Sequence, residues 1–107
     1  MIQAIGTDLV EIDRVRRLLE RHGTKALKRL FTEEEITYAL RHQDPAPSLA
    51  ARIAAKEAFQ KCWPESLSWK EVWVGMEGRK PVLRFAPRVR ARLEAENLFA
   101  HLSLSHE

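Results

Sequence analysis

At 107 residues, with 45% hydrophobic and 31% charged side chains, the chain is sized for one domain, 1–107, with a core modest enough for subunit contacts to help it. No apolar run approaches the ~18–20 residues of a membrane span, and a single cysteine excludes an intrachain disulfide. A net charge of +3 favours an anionic partner and leaves nucleic acid, a phosphorylated cofactor and an acidic protein open.

The chain begins Met1-Ile2-Gln3 without a basic and apolar leader, so a cytoplasmic, reducing location is expected. Alternation over residues 2–12 predicts a first strand, with Asp8 on the same face as Ile2, Ala4, Val10 and Ile12. A carboxylate on such a face needs a cation, either a metal or a basic side chain such as Lys61, because an unpaired buried charge is costly. Asp13 is placed to cap the helix that follows. Val15, Leu18 and Leu19 repeat at helical spacing, and Gly23 closes the helix after His22. Its outer face carries Arg14, Arg17 and Arg21. Residues 13–31 hold seven basic and two acidic side chains, which reads either as a solvated face or as a docking surface for an acidic partner.

Thr32 and Glu35 form a capping box that predicts a second helix over 33–42, with Ile36, Ala39 and Leu40 inward. Asp44-Pro45-Ala46-Pro47 breaks it, and Ser48 is placed to cap a central helix that ends before Trp63-Pro64. At about 100° per residue, Arg52, Lys56 and Gln60 share one polar arc of that helix. Glu57 and Lys61 fall on another, among Ala50, Ile53 and Ala54. The last two read either as a surface i, i+4 pair or as charges entering a cleft. Cys62 is expected as a small core residue.

Val72-Trp73-Val74 and Val82 to Phe85 are short strand runs around a hairpin loop from Gly75 to Pro81. Trp69 and Trp73 read as packing residues in preference to a ligand platform. Pro87 opens a helix on which Val89 and Leu93 share a face, ending near Asn97, and a last strand is expected from Phe99 to His106. The whole reads as α+β, a largely antiparallel sheet packed against a central helix.

Three motifs in register, Ile5-Gly6-Thr7-Asp8-Leu9-Val10-Glu11-Ile12 with Arg14, then Arg52 to Lys61, then Ser103-Leu104-Ser105-His106, together resemble the holo-[acyl-carrier-protein] synthases, small trimeric 4′-phosphopantetheinyl transferases. The resemblance implies that Asp8 and Glu57 hold magnesium on the diphosphate of coenzyme A, with Lys61 beside it. It implies that Arg52 and His106 handle the adenosine and 3′-phosphate end, and that apo acyl carrier protein is the acceptor. Glu57 is the expected base, directly or through a metal-bound water, and a homotrimer without membrane or nucleic-acid partners is the expected assembly. This chain differs from the family pattern in having Ala51 and Ile53 for the usual Gly and Phe, and Arg79-Lys80-Pro81 where Gly-Lys-Pro is common. Trp63-Pro64-Glu65 stands where a Gly-rich loop is expected, and the sequence ends at Glu107 where the family continues into another apolar strand.

Two other readings use the same residues. A nucleic-acid-binding module would use the Arg-rich helix on phosphates and the hairpin as a wing, which leaves Asp8 and Glu57 unexplained. A catalytically silent interaction domain is the third.

Overall fold

The computed structural model describes residues 9–96. In chain order these form α1 (Leu9–His22), α2 (Thr24–Leu30), α3 (Glu33–Ala39), α4 (Ala46–Cys62), β1 (Val72–Glu77), β2 (Lys80–Phe85) and α5 (Pro87–Ala95). The two strands pair antiparallel, and α4 lies between them and the first three helices. The α+β arrangement around a central helix is thus present. The final strand expected over 99–106 falls outside the described residues.

Helix α4 is central because three apolar clusters share it. Leu49, Ala50 and Ile53 meet Val15, Leu27, Phe31 and Ala39 from α1 to α3. On another face Ala51 and Ala55 meet Val74, with Leu83 packed alongside; methyl-sized side chains there let the hairpin approach closely. At the carboxyl end Phe59 joins Trp63, Val89 and Leu93, which seats α5.

The amino-terminal reading needs correcting. Residues 9–12 are the first turn of α1, not the end of a strand. Ile12, Val15 and Leu19 are spaced three and four apart and pack on one cluster, so the helical stripe starts earlier than the alternation suggests. Asp13 is therefore inside the helix, where its carboxylate pairs with Arg16 at 3.3 Å. Gly23 does end α1: at φ 58° its amide donates to the Leu19 carbonyl at 2.9 Å, a conformation that costs glycine little. It also starts α2, a helix the charge count concealed, whose Ala26 and Leu27 are buried.

The capping box of α3 is formed as expected. The Thr32 amide donates to Glu35 Oε1 at 3.0 Å, and the Glu35 amide to Thr32 Oγ1 at 3.3 Å. The helix ends at Ala39, short of His42, because the Arg41 and His42 amides turn back to the Tyr38 and Ala39 carbonyls. Helix α4 starts two residues before Ser48. Asp44 Oδ1 accepts from the Ala46 amide at 3.2 Å, Pro47 fits the first turn, and Ser48 is buried inside the helix.

The hairpin turn is tighter than the sequence suggests. Pairing continues through Met76↔Pro81 to Glu77↔Lys80, leaving Gly78 at φ 63° and Arg79 at the turn. Gly75 is within β1 and serves another purpose, since a Cβ there would meet Arg84 Nε at 1.9 Å. The absent side chain lets Arg84 cross the strand, where Nε contacts Glu34 at 3.1 Å and the guanidinium donates to the Met76 carbonyl at 3.1 Å. Glu34 also accepts from Trp73 Nε1 at 3.0 Å, tying α3 to the sheet.

Residues 63–71 join α4 to β1. Glu71 Oε1 accepts from the Ser68 amide at 2.9 Å, and the carboxylate takes two bonds from Arg88 of α5 at 2.5 and 2.8 Å. The Arg88 hydrogen bond, followed by the Ser68 amide, holds the Glu71 carboxyl at about 2, below its ordinary 4.5. A lowered folded-state value means the contact stabilises the fold fully above about 4.5 and loses that contribution as pH falls towards about 2. Wild type should therefore melt above Glu71→Gln at pH 6, and thermal scans should show the gap closing between pH 4.5 and 2.

Candidate active site

Glu57 and Lys61 lie one turn apart on the exposed side of α4. With Lys56 and Gln60 they form one wall of a cleft of about 550 Å³, whose other wall is Leu67, Ser68, Trp69 and Val72. No ion pair joins Glu57 to Lys61, and among the described residues neither carries a hydrogen bond. Of the two readings of this spacing, a surface pair is not what forms; both charges face the cleft. Among the described residues, Glu57 is the only acid that lines it.

The opposite wall is held by two side chains of α4. The Gln60 amide nitrogen donates to the Glu65 carbonyl at 2.8 Å, while its oxygen accepts from the Leu67 amide at 2.8 Å. Lys56 makes the deeper tie. Its Nζ lies 2.8 Å from Glu35 Oε1 and donates to the Leu30 carbonyl at 2.7 Å and the Trp69 carbonyl at 2.6 Å. Glu35 Oε2 in turn accepts from the Val74 amide at 2.9 Å. Lys56 is 3% and Glu35 0% exposed. Burial pushes the Lys56 ammonium below the ordinary lysine value, and the Glu35 carboxylate pulls it partly back.

Sequence reasoning places Lys56 on a polar arc and Glu35 in a cap, and misses their meeting. The available signal was an acid at a capping position that periodicity also turns inward: a carboxylate there can serve its own helix end and a second partner. The arc itself is correct in angle and wrong in environment, because Arg52 and Lys56 point into the molecule and Gln60 alone is only half-buried. Trp69, expected to be a packing residue, is 41% exposed at the cleft, and Trp73 is half-buried. Cys62 is exposed; the apolar contacts at the end of α4 belong to Phe59 and Trp63, whose rings stack at 5.4 Å.

Arg52 is fully buried, with its guanidinium 4.5 Å from the centre of the Tyr38 ring, and it donates to the Ser48 carbonyl at 3.3 Å. It does not line the Glu57 cleft. Its neighbours Tyr38, Ser48 and Met76 instead line a second groove, rimmed by Arg41, His42 and Arg79. Arg14, Arg17 and Arg21 are exposed on α1, and Arg21 opens onto a third groove with Lys25, Lys28 and Arg29. Asp8 and His106 lie outside the described residues. Among those described, no group of three or more His, Cys, Asp or Glu side chains is gathered as for a metal, and no helix is long and apolar enough to cross a membrane.

Comparison with known proteins agrees with the motifs. The family model of the 4′-phosphopantetheinyl transferase superfamily matches residues 4–107. The chain is 76% identical over 107 residues to the holo-[acyl-carrier-protein] synthase of Thermus thermophilus, covering 100% of this chain and 86% of that protein. It is 50% identical over 114 residues to the enzyme of the same name from Deinococcus radiodurans (99% and 85% covered) and 36% identical over 107 residues to that of Chlamydia felis (96% and 88%). No solved structure matches at a significant level. A match along nearly the whole chain, joined to a cleft built on the Lys56-Glu57 to Lys61 segment, means that this protein belongs to the 4′-phosphopantetheinyl transferase superfamily.

Proposed function

We propose that the protein is a holo-[acyl-carrier-protein] synthase and that the Glu57–Lys61 cleft is its donor site. The observation that carries this placement is an acid and a base on one helix turn that leave each other unpaired and line the same cleft. In the reaction, a serine hydroxyl of apo acyl carrier protein attacks the pantetheine-bearing phosphorus of coenzyme A. The bond to the other phosphate breaks, adenosine 3′,5′-bisphosphate leaves, and the serine is esterified with 4′-phosphopantetheine. Glu57 is suited to take the serine proton, and Lys61, a compact cation, to meet the diphosphate. Transfer of this kind depends chiefly on positioning and charge neutralisation.

Magnesium fits the donor set. Glu57 is an exposed hard oxygen ligand with no cation in contact among the described residues, and magnesium commonly takes one or two carboxylates along with substrate phosphate oxygens. Asp8 and Glu57 would hold the ion, which supplies neutralisation of diphosphate charge. Arg52 and His106 are assigned to the adenosine and 3′-phosphate end through the family motif. For Arg52 this means action from behind the second groove, through Tyr38 and Ser48. The reading extends to a cytoplasmic homotrimer with sites shared between neighbours. A stable monomer with full activity in light scattering would refute that assembly.

The deciding experiment incubates the protein with apo acyl carrier protein, coenzyme A and magnesium and follows the carrier by mass spectrometry. Gain of one phosphopantetheine per carrier is expected; an unmodified carrier overturns the reading. The basic face of α1 is assigned to carrier docking, because acidic partners are steered by such surfaces. A folded Arg14→Glu, Arg17→Glu, Arg21→Glu variant should raise the KM for carrier at least about tenfold and leave that for coenzyme A unchanged. Raising salt should reproduce the loss in wild type.

A further inference from the structure

The cleft has two unlike walls. Glu57 and Lys61 are charged, whereas Leu67, Trp69 and Val72 are apolar and stand opposite. An indole left 41% exposed forgoes burial that a large aromatic ring ordinarily gains, yet its backbone carbonyl is tied to the central helix. Lys56 Nζ grips the Trp69 carbonyl at 2.6 Å, and the same ammonium is anchored to Glu35 and to the Leu30 carbonyl. All three of its protons are thus committed, which leaves Lys56 no part in proton transfer. Its effect on the cleft is mechanical: it fixes where the Trp69 wall stands relative to Glu57, the next residue along α4.

Resting on the reading of this cleft as the donor site, we infer that Trp69 is the surface against which the pantetheine arm of coenzyme A lies, and that Lys56, braced by Glu35, is the residue that positions it. The arm, not the adenine, suits this wall. Its branched methyl groups and amides match an aliphatic and indole surface of Leu67, Trp69 and Val72. The side-chain amide that could read a purine edge, Gln60, is already engaged at both its oxygen and its nitrogen by the Glu65 and Leu67 backbone. The diphosphate then reaches the Glu57 and Lys61 side.

Two measurements test this. Tryptophan fluorescence of the wild type, with Trp69→Phe as the blank for Trp63 and Trp73, is titrated with 4′-phosphopantetheine and separately with adenosine 3′,5′-bisphosphate. The first should change the Trp69 signal and the second leave it flat. A response to the bisphosphate alone, or to neither, overturns the assignment even when the enzyme transfers phosphopantetheine normally, whereas absence of transfer strikes the functional reading itself.

For positioning, the variant Glu35→Gln/Lys56→Met removes the clamp together with both charges, so neither is left stranded. It should melt close to wild type, raise the KM for coenzyme A about tenfold and change kcat less than about threefold, since Glu57 and Lys61 stay on their helix. Adding Trp69→Ala should raise KM no further, because the two changes disable one wall. An unchanged KM, a loss confined to kcat, or effects that multiply would each overturn the positioning role.

Discussion

Glu57→Gln should lower kcat/KM for transfer by about 100- to 10,000-fold, the range associated with a general acid or base, with melting temperature and secondary structure unchanged. The stability half of this expectation rests on geometry. Glu57 is exposed and has no partner among the described residues, so its amide strands nothing. The activity half rests on its being the one carboxylate among the described residues that lines the cleft. Asp8→Asn should give a comparable loss if both acids hold one magnesium ion, and the double variant should lose little beyond either single one, because a disabled site cannot be disabled again. Steady-state rates across a magnesium titration would measure this. Losses that multiply would separate the two carboxylates.

Lys56→Met alone should destabilise the fold by about 3–5 kcal/mol, read from chemical denaturation. Glu35 would remain fully buried without its cation, and the Leu30 and Trp69 carbonyls would lose their donor. Adding Glu35→Gln should recover most of that loss, because a well-packed neutral pair costs far less to bury than one stranded charge. Failure of the second change to rescue the first would mean that the carbonyl contacts, not the charge balance, dominate the energy of the network.

The parts of the fold legible from sequence are those set by one residue and its near neighbours. Thr32 and Glu35 announce a helix start, Gly23 announces a helix end, and Val72 to Val74 announces a strand because three adjacent residues suffice. Features that depend on distant partners are not legible in this way. Alternation around Val10 and Ile12 cannot reveal that Ile12 packs beside Leu27 and Phe31, so the first turn of a helix reads as strand. The Gly75 to Pro81 stretch reads as a loop because glycine and proline punctuate it, yet Gly75 is small to admit an arginine from the facing strand. In the site, helical angle sets Glu57 and Lys61 apart on one side but leaves a surface pair and a cleft both open, whereas Arg52 and Lys56 have side chains that sequence counts as surface. The positions of Tyr38, Glu35 and the Ser48, Leu30 and Trp69 carbonyls, all set by the fold, accompany their burial.

The sharing of α4 among all three apolar clusters also limits how substrate can enter. A cleft between two independently folded lobes can open at a hinge, but here one wall is the helix that all three clusters share, and the other wall is bolted to it through Lys56 and Gln60. Swinging one wall away would break the core. If the cleft is the donor site, admission among the described residues falls to rotation of the long Lys61 and Glu57 side chains and to small adjustments of the 66–70 segment, motions of nanoseconds to microseconds.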